Sequence, residues 1–411
     1  MRPLALALAL VAYIAIPIAS ARAADRTRDA AAQACEGLSA RVDAMPGIEG
    51  VFLRSFESAS GTGPVDESSV ATAAFVYDNA AATIALVACD RVSQAARIGS
   101  ALLAATNTDG RLYNAYTAGP VSATPKPNGW WSAAENRWLQ DGYQMGTATG
   151  NMAWAALALL TLSERTHDPR WCAGAKRLGT WVADHAHTMT GAGGFGGGVF
   201  GFEGRQTSLD WKSTEHNIDL AAAFARLARC DASPNWPRYA KEARAFVDAQ
   251  WDAADGHFLV GTLPDGVTPN RATSALDVQF WSQMLPDAPP DWRRALDYAE
   301  RAHGVGDGFS FNAERHGVWV EGTAQAALAY RLTNRASDAE RLLHALRGDF
   351  AANGLAFATR GGEIRTGLAV SPTSTGDDFH YYHWPHIGAT AWIALAAQGW
   401  NPFTGTRKAK P

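Results

Sequence analysis

Apolar residues recur at helical spacing along nearly the whole chain, and the helical segments come in pairs. "VATAAFVYDNAAATIALVACD" (residues 70–90) is followed almost without a loop by "VSQAARIGSALLAAT". The pattern returns as "TATGNMAWAALALLTLSERT" with "PRWCAGAKRLGTWVADHAH", and as "STEHNIDLAAAFARLARC" with "PNWPRYAKEARAFVDAQW". Two further pairs are "ALDVQFWSQML" with "DWRRALDYAERAHG", and "GVWVEGTAQAALAYRLT" with "ASDAERLLHALRGDF". The last segment, "HYYHWPHIGATAWIALAAQ", finds its partner in an N-terminal helix near residues 27–44. That makes six hairpins at a spacing of roughly 50–70 residues, longer than the common solenoid repeats.

The two members of a pair differ in kind. The first is rich in Ala, Gly, Thr and aromatic residues and is apolar on most faces, which predicts burial all round. The second carries Arg, Lys, Asp and Glu on one side and faces water. Buried inner helices ringed by amphipathic outer ones describe an all-α (α/α)6 toroid, one domain over residues 24–411. An open superhelix of the same hairpins explains less well why every first helix is apolar. It also leaves the last helix without its N-terminal partner.

Between the pairs lie glycine- and aromatic-rich segments: "DGRLYNAYTAGPVSATPKPNGWW", "GAGGFGGGVFGFEGRQTSLDW" and "DGHFLVGTLPDGVTPNRATSALD". They have β-hairpin character, for instance at "RLYNAYT", and all lead into the N-termini of inner helices. They gather at one mouth of the toroid, where loops on a rigid scaffold carry binding residues.

Polar residues enter the apolar inner helices at that mouth. Asp210, Glu215, His216, Asn217 and Asp219 open the third; Ser213 or Thr214 can cap it, and the macrodipole favours acids in its first turn. Capping leaves Asp219 unexplained, because a buried carboxylate is costly unless paired or functional. Asp78 and Asn79 interrupt the first helix, Asp277 and Gln279 the fourth, and Glu321, Thr323 and Gln325 the fifth. His380, His383 and His386 precede the last, and aromatic neighbours recur at Tyr77, Trp211, Trp281, Trp319, Tyr382 and Trp384. A shared cavity lined by carboxylates and aromatic rings is the simplest account.

Such a lining suits carbohydrate, since indole and phenol rings stack on pyranose C–H faces while acids, amides and imidazoles meet the hydroxyls. The chain spends fifteen tryptophans. Trp236 and Trp292, at the starts of outer helices, are assigned to packing; Trp130, Trp131, Trp211, Trp319 and Trp384 fall at the mouth and are candidate sugar platforms. Cleavage of a glycosidic bond uses two carboxyl groups. Glu215 is the expected proton donor, because an apolar setting beside Trp211 raises its pKa. Asp78 and Glu321 are the candidates for the second group, with Asp277, Asp377 and Asp378 held open. Tyr77, Trp211, His216, Asp219, Asp277, Trp319, Gln325, Tyr382, His383 and Trp384 are the expected substrate-binding residues.

Composition narrows this only slightly. Of the residues, 47% are hydrophobic and 18% charged, and the formal net charge of −4 offers no footprint for nucleic acid. Residues 1–23 read as a secretory leader. Arg2 is followed by an apolar core over residues 4–19 and by Ala21-Arg22-Ala23 as a cleavage site, which predicts a periplasmic or secreted protein without stable membrane insertion. Cys35, Cys89, Cys172 and Cys230 contain no CxxC pair and are expected in buried structural roles, with one or two disulfides of unread connectivity. "HYYHWPH" has spacing that could gather three histidines, but Pro385 breaks a helix through it, so neither a metal nor another cofactor is expected.

The strings "YDNA", "STEHNIDL", "LDVQFW", "VWVEGTAQAALAY" and "YYHWPHIGATAW", set on six hairpins, resemble the six-hairpin glycosidase superfamily. That superfamily has (α/α)6 barrels and includes many glycoside hydrolases and the N-acylglucosamine 2-epimerase-like enzymes. The resemblance implies binding or cleavage of a glycan at the barrel mouth. The alternatives on the same fold are a polysaccharide lyase or sugar epimerase, with His216 and Tyr77 or His383 and Tyr382 as base and acid, and a non-catalytic glycan binder. The mouth segments are acid-rich, with Arg205, Lys212 and Arg271 as the main cations, which argues against a lyase for acidic glycans.

Overall fold

A computed structural model describes residues 30–60, 64–121, 124–369, 371–373 and 379–408. The expected leader and the acids Asp377 and Asp378 lie outside the described residues. Among those described, twelve α-helices alternate between an inner and an outer ring. The inner ring is α2 (Val76–Ala88), α4 (Thr149–Thr166), α6 (Thr214–Cys230), α8 (Leu276–Trp281), α10 (Val320–Leu332) and α12 (Ile387–Gln398). The outer ring is α1 (residues 30–43), α3 (Val92–Ala105), α5 (Pro169–His185), α7 (Asn235–Ala249), α9 (Arg294–His303) and α11 (Ala336–Ala345).

Each inner helix packs on the next around the ring, and α12 returns to α2. That closure is what the open superhelix lacks. The burial pattern is the one the apolar periodicity predicts. Every residue of α12 from Ile387 to Ala397 is buried, whereas α7 buries only Trp236, Ala243, Phe246 and Val247. The C-terminal segment closes the end of the ring opposite the mouth. Phe403 reaches Trp154 and Trp281, and the buried Arg226 guanidinium donates to the Pro402 carbonyl at 2.8 Å.

Three expectations change. The fourth inner helix is one α-turn and a half, Leu276–Trp281, finished by a 3-10 turn at Ser282–Met284. Pro286 forces Leu285 into extended backbone and so ends it early. The strand in "RLYNAYT" is present as Ala115–Thr117, but its strand partner is Ala73–Phe75, the segment that feeds α2, and within its own loop it makes a bridge from Tyr116 to Pro127. The cysteines pair as Cys35–Cys89, tying α1 to the end of α2, and Cys172–Cys230, tying α5 to the end of α6. Cys35 is buried in the core as expected, with Cys89 packed against it, whereas Cys172 is half-buried and Cys230 exposed, so the second bridge pins helix ends near the surface. No described helix is long and apolar enough to cross a membrane.

The mouth segments form short antiparallel ladders that brace the helix entries. Thr147–Ala148, Gly198–Phe200 and Thr207–Leu209 make a three-stranded sheet ahead of α4 and α6. Val318–Trp319 pairs with Thr359–Arg360 ahead of α10, and Ile364–Arg365 pairs with His380–Tyr381 ahead of α12. Gly198 sits at φ 109°, and a methyl group there would stand 2.0 Å from the Thr147 carbonyl oxygen, so this ladder needs its glycine.

Candidate active site

The N-termini of the inner helices surround a cavity of about 710 Å³ that opens between the mouth loops. Their macrodipoles direct partial positive charge into it, which favours carboxylates in the first turns. Asp78 of α2, Glu215 of α6, Asp277 of α8 and Glu321 of α10 all line this one space. Asn151 and Trp154 of α4 and His386, which caps α12, complete the ring.

One side is a tightly bonded cluster. Tyr77 donates to Glu321 Oε1 at 2.5 Å and accepts from Trp392 Nε1 at 2.7 Å, while Gln325 Nε2 donates to the same Glu321 oxygen at 3.3 Å. His386 Nδ1 accepts from the Ala389 backbone N–H, so the proton of the neutral ring is on Nε2 and is donated to Asp78 Oδ2 at 3.2 Å. Glu321 Oε2 lies 3.8 Å from Nδ1 on the other flank, and Phe56 stacks on the imidazole at 4.4 Å. Gly388 makes room for this. A methyl group there would stand 2.6 Å from Asp78 Oδ1, 2.7 Å from His386 Cε1 and 3.2 Å from Glu321 Oε2.

Glu215 stands across the cavity from that cluster, since α6 lies three places round the ring from α12. Burial, with the charges of Asp277 and Glu321 adding to it, raises Glu215 well above the ordinary carboxylate range. Burial likewise pushes Asp277 up to about 7, against the Val278 N–H that its carboxylate accepts. Burial, opposed by His386 and reinforced by Asp78, pushes Glu321 to about 7. For His386, burial works against protonation, but Asp78 and Glu321 outweigh it and the ring titrates higher than usual. The floor is aromatic: Trp154, Trp281 and Trp392 pack at centroid distances of 5.3–5.6 Å, with Tyr77 on Trp154 at 5.1 Å.

The remaining expected residues divide. Tyr77, Trp211, His216, Trp319 and Tyr382 line the cavity with the acids. His216 is a wall rather than a proton carrier, because its ring fills the space over Gly150, Nδ1 meets Thr149 Oγ1 at 3.0 Å, and burial lowers its pKa to about 4. Asp219, Gln325, His383 and Trp384 do not reach the cavity. Asp219 sits one turn below Glu215, fully buried, with neither oxygen hydrogen-bonded among the described residues. Gln325 is one turn below Glu321 and holds it. His383 is exposed, stacks on Phe357 at 4.3 Å and meets the Thr359 carbonyl, while Trp384 stacks on Tyr382 at 4.5 Å. Tyr381, in the extended segment after His380, packs on Trp319 at 5.0 Å and lines the cavity towards the carboxylates. Its phenol is raised by burial and then by Glu321, Asp277, Glu215 and Asp78 together.

Tyr381, Tyr143, Phe311 and Trp154 line the cavity without having been singled out. The aromatic run "FHYYHW", of which Phe379, His380, Tyr381 and Tyr382 all line the cavity, was the one available signal for Tyr381. Of the three histidines before α12, His386 alone joins the acid cluster; His380 lines the cavity and pairs with Glu363 at 2.7 Å. Lys212 lines the wall, but its ammonium turns away to the Thr190 carbonyl at 2.6 Å. Among the described residues no group of three or more His, Cys, Asp or Glu is placed to hold a metal ion.

The carboxyl cluster has a stability signature. Glu215, Asp219, Asp277 and Glu321 keep protons in the fold that the unfolded chain releases near pH 4, so their contribution falls as pH rises through that value to 7 and beyond. His216 and His303, both lowered to about 4, act in the opposite sense between about pH 4 and 6.5. Above that window the carboxyl effect is left to dominate, with His386 adding to it. The urea midpoint is therefore expected to decline from about pH 6.5 to 9, and Asp277→Asn is expected to shallow the decline. A midpoint that stays flat or climbs over that range contradicts the buried cluster.

No protein-family model matches the sequence, and no curated protein sequence is similar enough to count as a match. Solved structures do match in fold. A glycosidase, in a variant bound to glucose, aligns with TM-score 0.59 at 13% identity over 92% of this chain and 98% of that one. Cellobiose 2-epimerase from Bacillus thermoamylovorans aligns with TM-score 0.60 at 10% identity, over 89% and 98%. The epimerase from Spirochaeta thermophila gives 0.60 at 12%, over 90% and 96%. The chain thus has the (α/α)6 fold of the six-hairpin glycosidases, shared with enzymes that act on sugars.

Proposed function

We propose that this six-hairpin toroid is a glycoside hydrolase acting on a poly- or oligosaccharide. One observation carries the reading: acids from four different inner helices meet over an aromatic floor in a single cavity. Glu215 holds its proton near neutral pH and donates it to the glycosidic oxygen as the bond to the anomeric carbon breaks. Asp78, oriented through Oδ2 by His386, presents its other oxygen from the opposite side and takes a proton from the water whose oxygen bonds to the anomeric carbon, which balances the proton given by Glu215. Glu321, held through Oε1 by Tyr77 and Gln325, lies 3.8 Å from the imidazole and, once ionised, adds negative charge where an oxocarbenium-like centre develops. Trp211 and Tyr381 offer ring faces to the sugar, with the buried Trp319 packed behind Tyr381 at 5.0 Å.

The lining carries Asp78, Asp141, Asp210, Glu215, Asp277 and Glu321, and its one lysine points its charge elsewhere. With acids on several sides and, among the described residues, no lysine or arginine charge directed into it, the cavity offers an anionic sugar no partner, so the substrate class is uncharged glycan. The expected leader puts that substrate outside the cytoplasm.

The purified protein should release new reducing ends from at least one neutral polysaccharide in a panel, without absorbance near 235 nm. Absorbance at that wavelength would indicate elimination and sink the hydrolase reading. Epimerisation is the second reading, favoured by His386 between two acids and by the epimerase fold neighbours. It predicts deuterium incorporation from D2O beside the carbonyl of a reducing disaccharide, with no new reducing ends.

A further inference from the structure

The hairpin Trp130–Ser132 with Arg137–Leu139 stands outside the cavity. Its register sets Trp131 directly opposite Trp138, so the two indoles share one face of the ribbon. Each is 57% exposed, whereas the other thirteen tryptophans are all buried or half-buried. Packing therefore does not account for this pair, and grouped exposed apolar side chains mark an interaction site.

The ribbon is fastened to the cavity wall at both ends. After Leu139 the chain passes into Asp141, Tyr143 and Gln144, which line the cavity. Before Trp130, Asn128 donates to Gln144 Oε1 at 2.6 Å. The Trp138 indole lies against Gly129, where a methyl group would stand 2.4 Å from Nε1, so the backbone itself props the ring. The nearest charges, Glu135 and Arg137, neutralise one another in an ion pair. What remains is a firm, uncharged, flat-ringed surface continuous with the mouth.

We propose that the Trp131–Trp138 face is a distal glycan platform, which grips a neutral polysaccharide chain where it runs out of the cavity. The direction of that chain rests on the hydrolase reading; the binding does not. The platform makes the protein prefer long chains over short ones, because a segment held several units away raises the local concentration of the rest.

The test compares the purified protein with the Trp131→Ala/Trp138→Ala double variant on native gels containing barley β-glucan, glucomannan or dextran. The wild type should be retarded by at least one polymer and the double variant should not, with unchanged thermal midpoint and mass by light scattering. On the retarding polymer, kcat/KM should fall about tenfold or more in the double variant, since one or two stacked rings are each worth up to about that factor. On a tetrasaccharide from the same polymer it should not change. Wild type unretarded by every polymer, equal retardation of both proteins, or an equal loss on the tetrasaccharide overturns the platform. So does a drop in mass on mutation, which would assign the face to a second copy of the chain. Retardation lost with the tryptophans in a protein that cleaves nothing upholds the platform and removes the hydrolase reading.

Discussion

Glu215→Gln is expected to lower kcat on the responsive polysaccharide by about 10³-fold while the protein folds as before. General acid catalysis supplies roughly 10²–10⁴ in rate, and a glutamine in the same place keeps the shape and loses the proton. Folding is spared because Glu215 has no hydrogen-bond partner among the described residues to lose, and because its burial beside Asp277 and Glu321 penalises the ionised form. Above pH 7 the variant should even unfold at slightly higher urea than the wild type, as a group that resists ionisation has been removed. A substrate whose leaving group needs no protonation, such as a dinitrophenyl glycoside, should recover most of the lost rate. Loss that is equal on both substrates would remove Glu215 from the proton-donor role.

Gly388→Ala is expected to be the second severe change, with activity down by 10²-fold or more and little change in secondary structure. Alanine is the better helix former, so the substitution ought to help α12 locally. The obstacle is spatial, because the methyl would enter a point 2.6 Å from Asp78 Oδ1 and 3.2 Å from Glu321 Oε2. Those are ends of side chains, so they move rather than break the ring. Moving them separates Asp78 from His386 and Glu321 from Tyr77. A displacement near 1 Å at the reacting centre is enough for about a 10²-fold loss. The measurement is kcat/KM alongside the far-ultraviolet circular dichroism. Full activity in the variant would mean the cluster's positions are not what catalysis uses.

Much of the architecture was written in the one-dimensional pattern. Alanine-rich segments apolar on every side have nowhere to go but the interior, and segments such as "PNWPRYAKEARAFVDAQW" bury one stripe only. Alternating the two kinds along the chain leaves few arrangements other than a double ring. The entry of Asp78, Glu215, Asp277 and Glu321 into such helices was equally legible, because a carboxylate in an apolar run stands out. The same reading set Asp219, Gln325, His383 and Trp384 at the cavity, which they do not line. Composition marks a residue as out of place without saying whether it lies at the cavity surface or one turn below it. Tyr381 and Tyr382 are neighbours of like chemistry that both line the cavity, and composition does not say that the first of them lies nearest the carboxylates.

By itself, then, the sequence determined which helices are buried and which acids those helices must accommodate, since both follow from local periodicity and from the cost of burying charge. Tertiary structure alone decided the partners. Tyr77 and Glu321 are 244 residues apart and Asp78 and His386 are 308 apart, yet each pair meets within hydrogen-bond distance. Closure of the ring brings them together, and no local pattern along the chain encodes which helix end will face which.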